Sequence, residues 1–376
     1  MTDLASFLVS FEEEPGYLDW ARFGPLSASV RSELLADAEL LATGRRAGIE
    51  LVAEGEGRAR ELIGELTGRR ADHVALQPST GAGLMQVLFG LRGGILLSRR
   101  EFPAFPIAVQ RAADAFGVAS PHWIDPEDGF VTVDAVREAL TDDVVAVGVS
   151  LVDYQTGYLA DLAGLREAIG DRLLIVDAVQ GFGTVDVDYS AADVVCGNGY
   201  KWLRAGRGTG YSVFSDRALD RLAPVFSGAA GAAPEAAAHA GSPAPAAARS
   251  ARGFTVGRDD ELAVTRLAAA LTEIRDAGVG AIAREVTDRA DALLACADRY
   301  GIPVITPRDT ARRAGIVTLE PAPSDAARLA AALTNSGLTV TARAGRLRLA
   351  AHAGTGADTI ALLDDALAAY SSDQVW

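Results

Sequence analysis

Asp177 and Lys201 stand 24 residues apart in the stretch Val176 to Phe214, VDAVQGFGTVDVDYSAADVVCGNGYKWLRAGRGTGYSVF, and their types suit one chemistry. A lysine amine holds an aldehyde as a Schiff base, and a carboxylate beside a pyridine nitrogen keeps that nitrogen protonated. Together they point to pyridoxal phosphate (PLP). The apolar run LLIV before Asp177 reads as a strand buried on both faces, so the acid falls at its carboxyl end, where ligands of open α/β sheets bind. A charge there needs a partner, which a pyridinium supplies; capping the next turn is the other role open to this acid. Lys201 lies in GYKWL, between the apolar run DVVC and the Gly-rich AGRGTG, as expected of a loop between two strands. Were it a surface lysine, Tyr200, Trp202 and Leu203 would be exposed with it, an uncommon density of exposed aromatic residues. Burial would lower the amine pKa towards the range where imine chemistry works.

A phosphate cradle is readable upstream. QPSTGAGLMQVLFGL is a loop running into an apolar helix, with Ser79, Thr80 and Gly81 at its start. Free N–H groups at the positive end of a helix attract an anion and the two hydroxyls add donors, although an ordinary cap has the same residues.

DAVQ, then GNGYKWL, then GRGTG resemble the class V aminotransferase-like family of PLP fold type I, which includes kynureninases, cysteine desulfurases, isopenicillin N epimerases and C–S lyases. The resemblance runs from YLDWARFGPLS at Tyr17 to Ser27 through LRLAAH at Leu347 to His352. It implies an α/β fold, with a large domain on a mostly parallel seven-stranded sheet flanked by helices and a smaller α+β C-terminal domain. It also implies roles. Lys201 is the Schiff-base lysine and Asp177 the pyridinium partner, with Tyr200 beside the cofactor. Gln180 lies near the cofactor's phenolic oxygen, where kynureninases usually carry His; an amide donates a hydrogen bond there but does not move a proton. Ser79, Thr80 and Gly81 contact the phosphate. In RREFPAFPIAVQ, Phe102, or failing that Phe105, stacks on the pyridine face. YQTG matches the Tyr-x-Thr-Gly of kynureninases and sets Tyr154 at the border of the site. In TVTARAGRLRLAAHAG, Arg348 aligns with the arginine that binds the substrate α-carboxylate, with Arg343 and Arg346 as rivals. ARGFTVGRDD resembles a segment that reaches the phosphate of the neighbouring subunit, with Arg258 where Thr is usual; the expected assembly is a homodimer with shared active sites.

The expected activity is that of a PLP-dependent enzyme acting on a small amino acid, by an aminotransferase-type reaction. C–S lyase (β-elimination) and amino-acid epimerase chemistry are the alternatives, followed by a kynureninase-like hydrolase. No cysteine lies near Arg348, where desulfurases of this family carry their sulfur-accepting thiol, which disfavours sulfur transfer. Gln180 and the loss of a Trp-rich substrate segment weaken the kynureninase reading. A non-catalytic binding protein on the same fold is the contrasting class, and retention of both Lys201 and Asp177 argues against it.

The rest of the composition agrees. A formal net charge of -15 with no offsetting basic patch argues against nucleic acid and against an anionic membrane surface. Cys196 and Cys296 make no disulfide framework, and with four scattered His there is no metal set. MTDLASFLVSFEEEPG has no basic n-region and no long apolar run, and no stretch approaches membrane-spanning length, so a cytoplasmic location is expected. We divide the chain into an N-terminal arm (1–24), a large PLP-binding domain (25–227), a loop (228–250) and a smaller C-terminal domain (251–376). In the loop, 12 of 23 residues are Ala and three Pro interrupt any helix, which reads as a mobile linker.

Overall fold

A computed structural model of the chain describes residues 3–117, 119–126, 129–233 and 245–372. Seven strands form the main sheet: β1 (Val74–Gln77), β2 (Gly93–Ser98), β3 (Ala119–Ile124), β4 (Val144–Ser150), β5 (Leu173–Asp177), β6 (Val194–Asn198) and β7 (Gly210–Phe214), in the order β1-β7-β6-β5-β4-β2-β3. β7 alone runs against its neighbours; the β3-β2-β4-β5-β6 run is parallel throughout. This is the expected mostly parallel seven-stranded sheet. Its central strands are apolar because helices cover both faces: every residue of β5, β6 and β7 is buried.

A second, antiparallel sheet holds β8 (Ile316–Leu319), β9 (Thr341–Arg343) and β10 (Arg346–Ala350) in the order β8-β10-β9. It has a core of its own, in which Val317 and Leu319 of β8 and Leu347 and Leu349 of β10 pack with Leu329, Leu333 and Leu363 out of reach of solvent.

After the arm, a helix spans Ala28–Ala42, begun by the Ser27 hydroxyl, which accepts from the Val30 N–H. The long helix Glu261–Ala277 packs against it and against the helix Gly55–Thr67. The first 24 residues do more than lead into the fold. Tyr17 bridges Thr339 and Asp19 bridges Ala350 beside the small sheet, and Phe7, Leu18 and Trp20 are fully buried. Each such side chain contributes about 2–3 kcal/mol by burial, so the arm is integral to the core. Of the Ala-rich loop, residues 234–244 lie outside the described set; around them Ala232 bridges Ala247 and Ala229–Gly231 forms one 3-10 turn. Among the described residues, no helix is long and apolar enough to cross a membrane.

Candidate active site

Segments leaving the carboxyl ends of β1, β2, β4, β5 and β6 meet at one edge of the main sheet. Asp177 ends β5, Lys201 follows β6, Ser79 to Gly81 follow β1, Phe102 follows β2 and Tyr154 follows β4. All of them, with Gln180, Asn198, Tyr200 and Arg207, line one cavity of about 220 Å³. Phe105, the fallback for Phe102, is fully buried beneath the sheet with its ring against Gly148, so it belongs to the core.

Lys201 is only 5% exposed. Its Nζ sits 5.5 Å from the Phe102 ring centroid and 5.6 Å from that of Tyr200. Burial lowers its pKa to about 8, against the opposing pull of the Asp177 charge. Asp177 is equally buried, and the same desolvation raises its carboxyl pKa, although the Val179 N–H donates to its Oδ1 at 3.0 Å. Both groups are therefore pressed towards neutrality, and a cation on Asp177 would relieve that pressure.

The turn after β1 has the geometry of an anion cradle. The helix Thr80–Phe89 starts with Ser79 as its cap, the hydroxyl accepting from the Ala82 N–H at 3.2 Å. That leaves the Thr80 and Gly81 N–H groups of the first turn directed out of the helix end, beside the cavity. Asn198, at the end of β6, donates from Nδ2 to Thr80 Oγ1 at 2.7 Å, while its buried Oδ1 has no partner among the described residues.

Gln180 is oriented from both sides. Its Nε2 donates to the Ala21 carbonyl at 2.9 Å and its Oε1 accepts from Trp202 Nε1 at 2.8 Å, leaving one amide hydrogen for a ligand. The Trp202 carbonyl in turn accepts from His352 Nε2 at 2.8 Å. Since the Ala353 N–H donates to His352 Nδ1, this imidazole is neutral, and burial pushes its pKa down to about 3. Phe11, Trp20 and Trp202 enclose the ring. Beneath Phe102, Glu101 accepts from the Ser150 N–H at 3.1 Å and from its hydroxyl at 2.5 Å, tying the loop to the end of β4; burial raises this carboxyl to about 8.

The small cavity opens, past Phe102, Tyr154, Gln180, Tyr200, Lys201 and Arg207, into an outer one of about 570 Å³. Arg343, Arg346 and Arg348 all border it. Arg346 is held by Glu320. Arg348 donates to the Tyr154 carbonyl at 2.9 Å and lies 3.5 Å from Asp19, yet its buried Nε has no partner among the described residues. Arg258 is not part of this assembly: it borders a separate cavity of about 560 Å³ with Glu56, Arg60 and Asp259.

Sequence reasoning passed over Asn198 and Arg207 inside the very motif it used, GNGYKWLRAGRGTG, and over Arg22 in the arm. An amide closing a buried strand at the ligand edge was a readable signal for Asn198; nothing in the sequence indicated that the arm would bring Arg22 to this cleft.

Residues 58–350 match the aminotransferase class-V family. A kynureninase of Deinococcus radiodurans is 30% identical over 268 residues, covering 67% of this chain and 63% of that protein. An uncharacterised aminotransferase of Bacillus subtilis is 28% identical over 62% of this chain and 63% of its own length. The matched region thus spans less than two thirds of either relative. Among solved structures, the cystine C–S lyase C-DES in complex with cysteine persulfide superposes with a TM-score of 0.83 at 19% identity, covering 95% of this chain and 97% of that one. The apo cysteine desulfurase of Thermococcus onnurineus gives 0.81 at 17%, covering 94% and 95%.

Proposed function

This chain belongs to the aminotransferase class-V family, whose members are PLP enzymes, and from that premise we propose that it holds PLP on Lys201 and transfers the amino group of a small amino acid. The observation that carries the reading is the placement of a desolvated lysine and a buried carboxylate in one 220 Å³ cavity whose wall includes a helix N-terminus.

The residues fit the group. When bound, PLP supplies an aldehyde that captures amines and a protonated ring that acts as an electron sink. Asp177 provides the buried carboxylate that keeps a ring nitrogen protonated. Ser79 and the Thr80 and Gly81 N–H groups form the phosphate end, where Asn198 holds the Thr80 hydroxyl in place and Arg207 adds a cation. Phe102 offers a ring face and Tyr200 a phenol, and Gln180 directs its remaining N–H from the opposite wall. Lys201, with its pKa near 8, exchanges a proton readily at neutral pH, which suits it to take a proton from the substrate Cα and return one to a neighbouring atom. Arg348 receives the α-carboxylate, and Tyr154, whose carbonyl holds that guanidinium, fixes its direction.

Borohydride reduction followed by peptide mass analysis tests the attachment. A pyridoxyl group on Lys201 is expected, and Lys201→Ala should bind PLP weakly with no turnover; modification of another lysine would falsify the assignment. Incubation with amino acids and a keto-acid acceptor tests the reaction. Acceptor-dependent formation of a new keto acid is expected, whereas ammonia and pyruvate released without an acceptor would assign β-elimination, and a racemate epimerisation.

A further inference from the structure

The outer cavity is lined by five arginines, Arg22, Arg207, Arg343, Arg346 and Arg348, together with Lys201, and by no Asp or Glu among the described residues, in a chain whose net charge is -15. Most of these cations are engaged. Arg346 pairs with Glu320, Arg348 and Arg22 share Asp19 at 3.5 and 3.9 Å, and Arg207 stacks over the Tyr200 ring at 4.8 Å. Arg343 has no ion pair among the described residues.

The hairpin presents Arg343 at a cost. In the β9–β10 register Arg343 faces Arg346 directly and Thr341 faces Arg348, so all four side chains share the face that lines the cavity. Like charges placed opposite on adjacent strands repel. The two-residue turn between them puts Ala344 at φ 50° and Gly345 at φ 78°, the primed type, and a non-glycine residue there is strained. Glu320 compensates one arginine of the facing pair and leaves the other uncompensated. Retained repulsion and strain at the rim of a ligand cleft indicate a site completed by an anion.

We infer that the substrate is an amino acid with a second anionic group, on its side chain, and that Arg343 is the specificity-determining residue that receives it. This rests on the assignment of the α-carboxylate to Arg348. The two guanidinium groups then hold the two ends of one dianion, while Lys201 works between the inner and outer cavities. A neutral side chain would leave Arg343 facing Arg346 unrelieved.

Calorimetric titration of the holoenzyme with butyrate, succinate, glutarate and adipate tests the inference. None of these carries an amine, so their binding does not depend on reaction at Lys201, and failure of the cofactor assignment, read by borohydride reduction, is a separate result. At least one dicarboxylate should bind about tenfold or more tighter than butyrate, equivalent to about 1.4 kcal/mol. Arg343→Met should abolish that preference and Arg343→Lys should restore part of it; because Arg343 is exposed neither variant should melt below the parent, and Arg343→Met, which removes the like charge opposite Arg346, should melt at or slightly above it. Equal affinity for all four acids, or an undiminished dicarboxylate preference in Arg343→Met, would overturn the inference.

Discussion

At Lys201 burial and charge oppose one another. Desolvation lowers the amine pKa to about 8, while the Asp177 carboxylate favours the ammonium form. The balance has a kinetic consequence, because only the neutral amine attacks an aldehyde. In apoprotein mixed with PLP, the rate of cofactor attachment should rise as pH increases through about 8 and level off above it. An ordinary lysine would show the rise near about 10.4. Stopped-flow absorbance between pH 6 and 10 measures the midpoint; a rate still climbing in proportion to hydroxide at pH 10 would show that the amine is solvated in the apoprotein. Asp177 does not reverse this sign, since its charge only moves the midpoint upwards.

The elements that hold these residues are loops at one sheet edge, and the N-terminal arm braces the most important of them. The Gly24 N–H donates to the Tyr200 carbonyl at 2.9 Å, and a Cβ at Gly24 would stand 1.9 Å from the Lys201 carbonyl oxygen and 2.9 Å from its carbon. Those are backbone atoms, so a side chain at position 24 forces the arm and the lysine loop apart. Gly24→Ala should therefore lower stability by about 1–3 kcal/mol, the range for overpacking, and weaken PLP retention at least several-fold. Gly57→Ala is the control: it lies in the helix Gly55–Thr67 with nothing within 4 Å of its Cβ, and should stabilise by about 0.5–1 kcal/mol. Thermal melts and equilibrium dialysis of PLP read both variants. Unchanged cofactor affinity in Gly24→Ala would mean that the arm does not position Lys201.

At the scale of the whole molecule, the exposed Arg258 borders a cavity separate from the two that Lys201 lines. We propose a homodimer in which Arg258 serves the partner's phosphate site. Twofold dimers are the commonest soluble assembly, and a ligand bound only by the assembled form stabilises that form. Arg258→Ala should then weaken dimerisation and PLP retention together, as followed by light scattering and absorbance on dilution. A monomeric holoenzyme that keeps its cofactor and activity would rule out the shared site.

The sequence alone made legible the strand closed by Asp177, the helix start at Ser79 to Gly81 and the burial of Lys201, because each is written locally: an apolar run closed by an acid, a Ser-Thr-Gly helix start, a lysine packed among aromatic residues. The mostly parallel seven-stranded sheet was legible only through the resemblance to a family. Local pattern did not decide between Phe102 and Phe105, two rings three residues apart, since only the docking of the helix Ala104–Phe116 on the sheet turns one into the cavity and the other beneath Gly148. Nor did it separate Arg343, Arg346 and Arg348. Alternation put Arg346 and Arg348 on one strand face; the β9–β10 pairing adds Arg343 to it, and whether each guanidinium meets Glu320, Asp19 or no acid among the described residues depends on side chains far away in the chain. Tertiary structure decided those placements because the electrostatics of an arginine are set by its neighbours in space, which sequence spacing does not contain.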